Sequence, residues 1–476
     1  MPGAATLAID QGTSATKAVV VLHDGTVAGL AEVEVEVHAS PDGGVELDPE
    51  RLWMSVVEAG RLALEQAGHP PLSAVGLANQ GETVLAWDRA SGTPAGPAIV
   101  WQDRRSAPVC ERLAAHGPRL ARLTGLELDP YFVAPKMVWL RDRTPAGTVI
   151  TTTDTWLLHR LCGAFVTDIA TAGRTLLLDL EQGEWSHEAC AIFGIDPAGL
   201  PTVVGNAEPL GTTTVWGDEV PVTGACVDQQ AALFAEACRD AGQAKCTYGT
   251  GAFMLACTGR TPTRSANGLV GCPAWRLGDE LTWCLDGQVY TVGAAVNWLV
   301  DMGLMTEPAD LDRLGGAVPH SAGVTFVPAL AGLAAPYWRP TAKAAFTGMS
   351  LGTERGHLVR AAIDGIAAQV ALLAAAAGND LGSPLTLLRV DGGLTRSRTL
   401  LQVQADLLQC PVEVYPSPHA TALGVAAFAA IGAGLPDASA STAASPAAVV
   451  EPAISADEAA SRLAAWQAVA AATMEL

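Results

Sequence analysis

The sequence predicts an α/β protein with two large domains, and three observations carry that reading. Its 476 residues are more than one hydrophobic core usually organises. Strand-like and helix-like stretches alternate along most of the chain, as they do where strands are connected through helices. A strand, a glycine–threonine turn and a second strand occur twice, at residues 7–22 and 244–259, which predicts two related halves.

The elements follow in chain order. Leu7 to Ile9 are apolar, Asp10 to Ala15 are turn-like, and Lys17 to Leu22 are strand-like again. Residues 50–67 have helical periodicity, with Leu52, Val56, Val57 and Leu62 on one face. The stretch AVGLAN reads as a strand leading into Gln80-Gly81-Glu82-Thr83, and TVLAWD continues as another before the turn DRASGT. Residues 98–105, AIVWQDRR, read as a strand with a charged tip. Residues 222–226 form a short strand, and Asp228-Gln229-Gln230 opens a helix, where an acid suits the positive end of the dipole. After the second Gly-Thr turn come further strands and a helix from about Gly293. A long helix of good formers spans 357–377, and a strand at 385–393 ends in Asp-Gly-Gly. Then follow a helix at 398–409, a strand at 411–417, a buried helix at 421–435, a loose Ala/Ser-rich loop at 436–450 and a terminal amphipathic helix. The domain boundary falls at residues 240–245, dividing the chain into 1–242 and 243–476.

Composition bounds the function. Hydrophobic residues make up 49% and charged residues 16%, as in a globular protein. The balance of 28 basic against 49 acidic residues gives a net charge of −21, which argues against a nucleic-acid surface and against anionic lipid. The N-terminus has no basic n-region followed by an apolar run, and no uninterrupted apolar stretch has the length of a bilayer span, so a cytoplasmic location is expected. Ten scattered cysteines form no CxxC pair and read as small buried hydrophobes in a reducing compartment.

Three glycine sites carry the chemistry. In Asp10-Gln11-Gly12-Thr13-Ser14, backbone N–H groups and the Thr13 and Ser14 hydroxyls can cradle phosphate, with Lys17 as a nearby cation. Asp10 could hold Mg²⁺ through water. Alone, the segment is equally compatible with an ordinary hairpin turn. Thr247-Tyr248-Gly249-Thr250-Gly251 is a second such turn, and Asp391-Gly392-Gly393 is a third place where a ligand could approach backbone. Their order along the chain is the pattern of two actin-like (ribonuclease H-like) ATPase domains with an interdomain cleft. GxxxxGK[ST] does not occur, which disfavours a P-loop nucleotidase.

Beyond these turns, a series of ordered stretches resembles the FGGY family of carbohydrate kinases, and within it the glycerol kinases, from about residue 5 to residue 436. They include AIDQGTSATKAVV (8–20), ANQGETVLAWD (78–88), AIVWQDRRS (98–106), TTDTWLLHRL (152–161), TDIATAGRTLLLD (167–179), DQQAALF (228–234), AKCTYGTGAFML (244–255), PALAGLAAPYW (328–338), RVDGG (389–393) and TALGVAAFA (421–429). The resemblance implies ATP and Mg²⁺ as cofactors, and transfer of a phosphoryl group to a small polyol or sugar. Glycerol ranks ahead of a larger acceptor such as erythritol or xylulose. Asp228 would be the general base; on spacing alone a helix cap is the stronger reading. Substrate contacts would come from Gly81, Glu82, Trp101, Tyr131, Asp228, Gln229 and Phe253. Nucleotide contacts would come from Thr13, Ser14, Lys17, Thr250, Gly251, Gly293, Asn297, Gly393 and Ser397. A homodimer or homotetramer is compatible with this reading.

One departure matters. Glycerol kinases usually read Asn-Gln-Arg-Glu-Thr, and this chain reads Asn79-Gln80-Gly81-Glu82-Thr83. Losing that guanidinium would cost roughly one to two decades in affinity. Either another cation, such as Lys136 or Arg104, reaches in, or a longer acceptor fills the space.

Overall fold

The computed structural model describes residues 5–435 and 445–474. In the first half, β1 (Ala5–Gln11), β2 (Ala15–Leu22) and β3 (Val27–Glu34) form an antiparallel meander. The first strand runs through Asp10 and Gln11, so the turn is residues 12–14, shorter than the sequence suggests. The helix α1 (Pro49–Gln66) packs on this meander; the Asp48 side chain caps it by accepting from the Glu50 and Arg51 N–H groups. Its buried stripe is Leu52, Val56, Ala59 and Ala63, while Val57 and Leu62 lie half-buried on the flanks. Small residues hold the centre because the helix lies close to the sheet. The strand β4 (Leu72–Asn79) pairs parallel to β1. With β5 (Gly211–Thr213) and β6 (Val220–Val227) it completes a six-stranded sheet in the order β5-β6-β4-β1-β2-β3. The helix α2 (Asp228–Ala235) leaves β6 directly.

The second half repeats this plan. Its elements are β7 (Gln243–Tyr248), β8 (Ala252–Gly259), β9 (Val270–Leu277), β10 (Glu280–Val289), α3 (Gly293–Asp301), α4 (Arg355–Leu381), β11 (Leu387–Gly392), α5 (Arg398–Leu408), β12 (Val412–Val414), α6 (Ala420–Gly432), β13 (Ala448–Val450) and α7 (Ala456–Thr473). The sheet order is β9-β10-β8-β7-β11-β12-β13. Antiparallel β10-β8-β7 followed by parallel β11 and β12 matches β3-β2-β1 followed by β4 and β6. The two Gly-Thr hairpins are the same turn of one repeated topology.

Several expectations change. The strand expected over 98–105 stops after Ile99. Asp103 accepts from the N–H groups of Val45 (2.8 Å) and Arg105 (2.9 Å), which folds the charged tip into a turn and swings Trp101 inward. Within the loop expected at 436–450, Ala448–Val450 pairs with β12, and residues 436–444 lie outside the described residues. By length and composition α4 could cross a membrane, yet 78% of its most apolar window is buried inside the protein.

The largest surprise is α6. Sequence order assigns it to the second half, but it packs on β1, β4, β6 and α2 of the first. The Thr223 hydroxyl donates to the Ala429 carbonyl (2.7 Å), and Phe234 and Phe428 lie with ring centroids 4.3 Å apart. Such close approach requires glycine: a Cβ on Gly424 would stand 1.9 Å from the Ala231 oxygen, and one on Gly224 2.6 Å from the Ala429 nitrogen.

Gly424→Val is therefore expected to destabilise the protein by about 3 kcal/mol, at the upper end of core overpacking, because backbone cannot move aside. Urea unfolding would measure this against Gly199→Ala, a site with nothing within 4 Å, whose midpoint should not move.

Candidate active site

The two hairpins and the start of α2 meet at a cavity of about 520 Å³. Thr13 and Ser14 of the first hairpin line it, as do Thr250 and Gly251 of the second. The first turn is closed by the Gly12 N–H donating to the Ala15 carbonyl (3.0 Å), and the Thr13 hydroxyl accepts from Trp101 Nε1 (2.9 Å).

Asp228 is the first residue of α2, with Val227 at the cap position. Its carboxylate accepts from the adjacent Gln229 N–H (2.7 Å). Burial raises its pKa, opposed chiefly by the charge of Lys245. Asp10 is pushed up to about 7, first by burial and then by the charge of Asp228, with Lys17 acting the other way. Two half-buried carboxylates that feel each other's charge are a donor set suited to a hard divalent cation, which would remove that repulsion.

Trp101, Tyr131 and Phe253 form an aromatic wall. The Trp101 and Tyr131 rings meet edge-on at 5.8 Å, and those of Trp101 and Phe253 at 6.5 Å. Gly81 and Glu82 line the cavity beside them. Glu82 is held at a backbone φ of +57°, in the left-handed region that a non-glycine residue adopts only under constraint. Its side chain is held by Arg174, which donates from Nε to Glu82 Oε1 (2.5 Å) and pairs through Nη2 with Asp286 Oδ2 at 2.9 Å. All three side chains are buried. Burial pushes the Glu82 carboxyl up against the opposing pull of Arg174.

The cations expected near Gly81 are engaged elsewhere. Lys136 is buried and donates to the carbonyls of Pro130, Tyr131 and Phe132, and Arg104 pairs with Asp129 at 2.7 Å. Arg174, which sequence reasoning missed, supplies the countercharge. Its signal was a lone arginine inside the apolar stretch TAGRTLLLD, which must find an acid when buried. Asp286 was missed too; it alternates with apolar residues on β10.

Of the nucleotide-side residues, Thr13, Ser14, Thr250 and Gly251 line the cavity, and the others lie outside its lining. Gly293 opens α3 and donates to the Gly249 carbonyl (3.0 Å); a Cβ there would stand 2.5 Å from that oxygen, so this glycine seats α3 on the second hairpin. Asn297 is exposed one turn further along, and Gly393 is exposed after β11. Ser397 is buried, capping α5 at Leu400 (3.2 Å) and donating to Asp312 (2.9 Å). Lys17 pairs across the meander with Glu32 at 3.9 Å. Gln229 lines the cavity and accepts from Lys245 Nζ.

Comparison with known proteins agrees with this arrangement. The N-terminal domain of the FGGY carbohydrate kinases matches residues 5–235, and the C-terminal domain matches residues 244–433. The chain belongs to the FGGY family of carbohydrate kinases. Among curated members, it is 42% identical to a glycerol kinase of Alkalilimnicola ehrlichii, covering 97% of each chain. It is 43% identical to one of Thermus brockianus, covering 90% of each. Among solved FGGY-type structures, a Plasmodium falciparum glycerol kinase with ADP superposes with a TM-score of 0.93 at 30% identity, covering 99% of this chain and 98% of that one. A xylulose kinase from Rhodospirillum rubrum, at 24% identity and a TM-score of 0.87, covers 98% of each chain and shares the fold. The two-domain actin-like architecture expected from the sequence is thus the FGGY fold, and the protein is a phosphotransferase that acts on an alcohol group.

Replacing Arg174 by Leu should strand Glu82 and Asp286 as unpaired buried acids and cost about 3–5 kcal/mol of stability. Adding Glu82→Gln and Asp286→Asn should recover part of the loss in urea unfolding.

Proposed function

We propose that the protein transfers the terminal phosphoryl group of ATP to glycerol, giving glycerol 3-phosphate, with Asp228 as the general base. The observation that carries this is the meeting of Asp228, both Gly-Thr hairpins and the aromatic wall at one cavity. Phosphoryl transfer asks the protein for positioning, charge neutralisation and an acceptor for one proton. Glu82 and Asp228 accept hydrogen bonds from acceptor hydroxyls, while Trp101, Tyr131 and Phe253 cover its C–H face. Asp228, its pKa raised by burial, is a stronger base than an exposed aspartate and can take the proton of the attacking hydroxyl. Backbone N–H groups and hydroxyls at Thr13, Ser14, Thr250 and Gly251 hold the phosphates, and Gly293, Asn297, Gly393 and Ser397 mark the nucleoside side. Asp10 would hold Mg²⁺, with the charge of Asp228 close by, and the ion would neutralise phosphate oxygens. The glycerol kinases at 41–43% identity support glycerol as the acceptor.

We place the division of the chain at residue 242, with α6 crossing back to the first half. A cytoplasmic location is supported by ten cysteines that are all unpaired.

Asp228→Asn should keep nucleotide affinity and lose most turnover in a coupled ADP-release assay; wild-type rate in that variant would refute the base assignment. Because the base works ionised and burial raises its pKa above 3.8, wild-type turnover should fall with pH on an acid limb lying above that value. Turnover with four- or five-carbon acceptors but none with glycerol would overturn the acceptor.

A further inference from the structure

The strand β10 lies on the side of the cavity built by the second half. Its residues alternate, so Leu285 and Val289 enter the second-half core while Asp286 and Gln288 face the cavity, followed by Tyr290. Gln288 is only 4% exposed, and its amide has no hydrogen-bond partner among the described residues. Its strand neighbour across the ladder is Phe253, a member of the aromatic wall. Beside it, Asp286 gives Oδ2 to Arg174 and leaves Oδ1 buried without a partner.

An amide that opens on the cavity without a protein partner, beside a buried carboxylate oxygen that also has none, points at a ligand that makes those bonds. The ligand's chemistry follows from what the cavity lacks. Glu82, Asp228 and Asp286 only accept hydrogen bonds when ionised, and Arg174 is engaged by two of them. A hydroxyl both donates and accepts. Gln288 offers both complements, with N–H for a hydroxyl oxygen and C=O for its hydrogen.

We infer that Gln288 is a specificity residue that hydrogen-bonds one of the acceptor's non-reacting hydroxyls from the second half of the protein. The inference rests on the kinase reading of this cavity. Because its partner is a hydroxyl and its own group is neutral, Gln288 favours uncharged polyols and penalises analogues lacking that one oxygen. It also makes acceptor binding depend on both halves, since Glu82 and Asp228 come from the first.

The test compares wild type with Gln288→Leu, which keeps the volume and removes the amide, and Gln288→Glu, which keeps an acceptor and removes the donors. Acceptors are glycerol, propane-1,2-diol and propane-1,3-diol, with ADP affinity by calorimetry reporting an intact fold. In Gln288→Leu, KM for glycerol should rise about three- to tenfold, with the loss falling on KM rather than kcat. For the one diol that lacks the contacted hydroxyl, the variant and wild type should have the same KM. Gln288→Glu should lose at least as much, since it adds a third carboxylate beside Glu82 and Asp286. Equal glycerol KM in wild type and Gln288→Leu overturns the inference, as does an equal loss on glycerol and both diols. Failure of the glycerol reading looks different: wild type itself would not turn over glycerol. If it turned over a larger polyol instead, the same comparison on that polyol and its deoxy analogues decides Gln288.

Discussion

One guanidinium ties the lining of the cavity together. Arg174 comes from the first half, just after the short helix Ile169–Ala172, and reaches Glu82 of its own half and Asp286 of the other. A buried ion pair is weak evidence for stability, because desolvation consumes most of the Coulombic gain. Its value here is geometric. It ties the side chain of Glu82, whose backbone is left-handed, to Asp286 on β10 of the second half. It also leaves the cavity with more acid than base: Glu82, Asp286 and Asp228 surround one engaged cation. An acceptor bearing its own carboxylate would enter against that surplus, whereas a neutral polyol would not.

The placement of the reacting groups follows from sheet topology. β1, β4 and β6 run parallel, and their carboxyl ends deliver Asp10, Gln80 and Asp228 to the same edge. In the second half β7 and β11 are parallel, with Tyr248 opposite Gly392, so the second hairpin and the Asp391-Gly392-Gly393 site share an edge as well. Ligands in open α/β sheets gather at the carboxyl ends of parallel strands, where helix N-termini and loop N–H groups point. Repeating one topology twice sets two such edges around one cavity. The crossing helix α6 and the Phe234–Phe428 contact bury the seam between the halves.

This explains what was legible in the sequence. The hairpins, Asp228 and the parallel strands are local: each is written in fewer than about twenty consecutive residues whose periodicity and turn chemistry can be read directly. Trp101, Tyr131 and Phe253 became visible only through ordered motif resemblance, since a lone aromatic reads as core. Arg174, Asp286 and Gln288 stayed hidden because their partners lie far along the chain: Arg174 reaches Glu82 across 92 residues, and Asp286 lies on another sheet altogether. The place of α6 was hidden for the same reason. Its apolar sequence says that it is buried, and only the carbonyl of Ala231 against Gly424 says against what.

Position 81 shows how a departure from a family pattern is absorbed. Without an arginine there, Glu82 still has its cation from Arg174, and Lys136 and Arg104 are occupied in building the Tyr131 segment. The glycine leaves the countercharge of the acid in place. A Cβ at Gly81 would touch a single methyl, Val227 Cγ2 at 3.1 Å, so the space beyond is open to the ligand side of the cavity. A neutral donor elsewhere on the lining answers that loss better than a second guanidinium would, because it binds a hydroxyl without competing with Arg174 for Glu82. Gln288 lines the same cavity and, on the inference above, would be that donor.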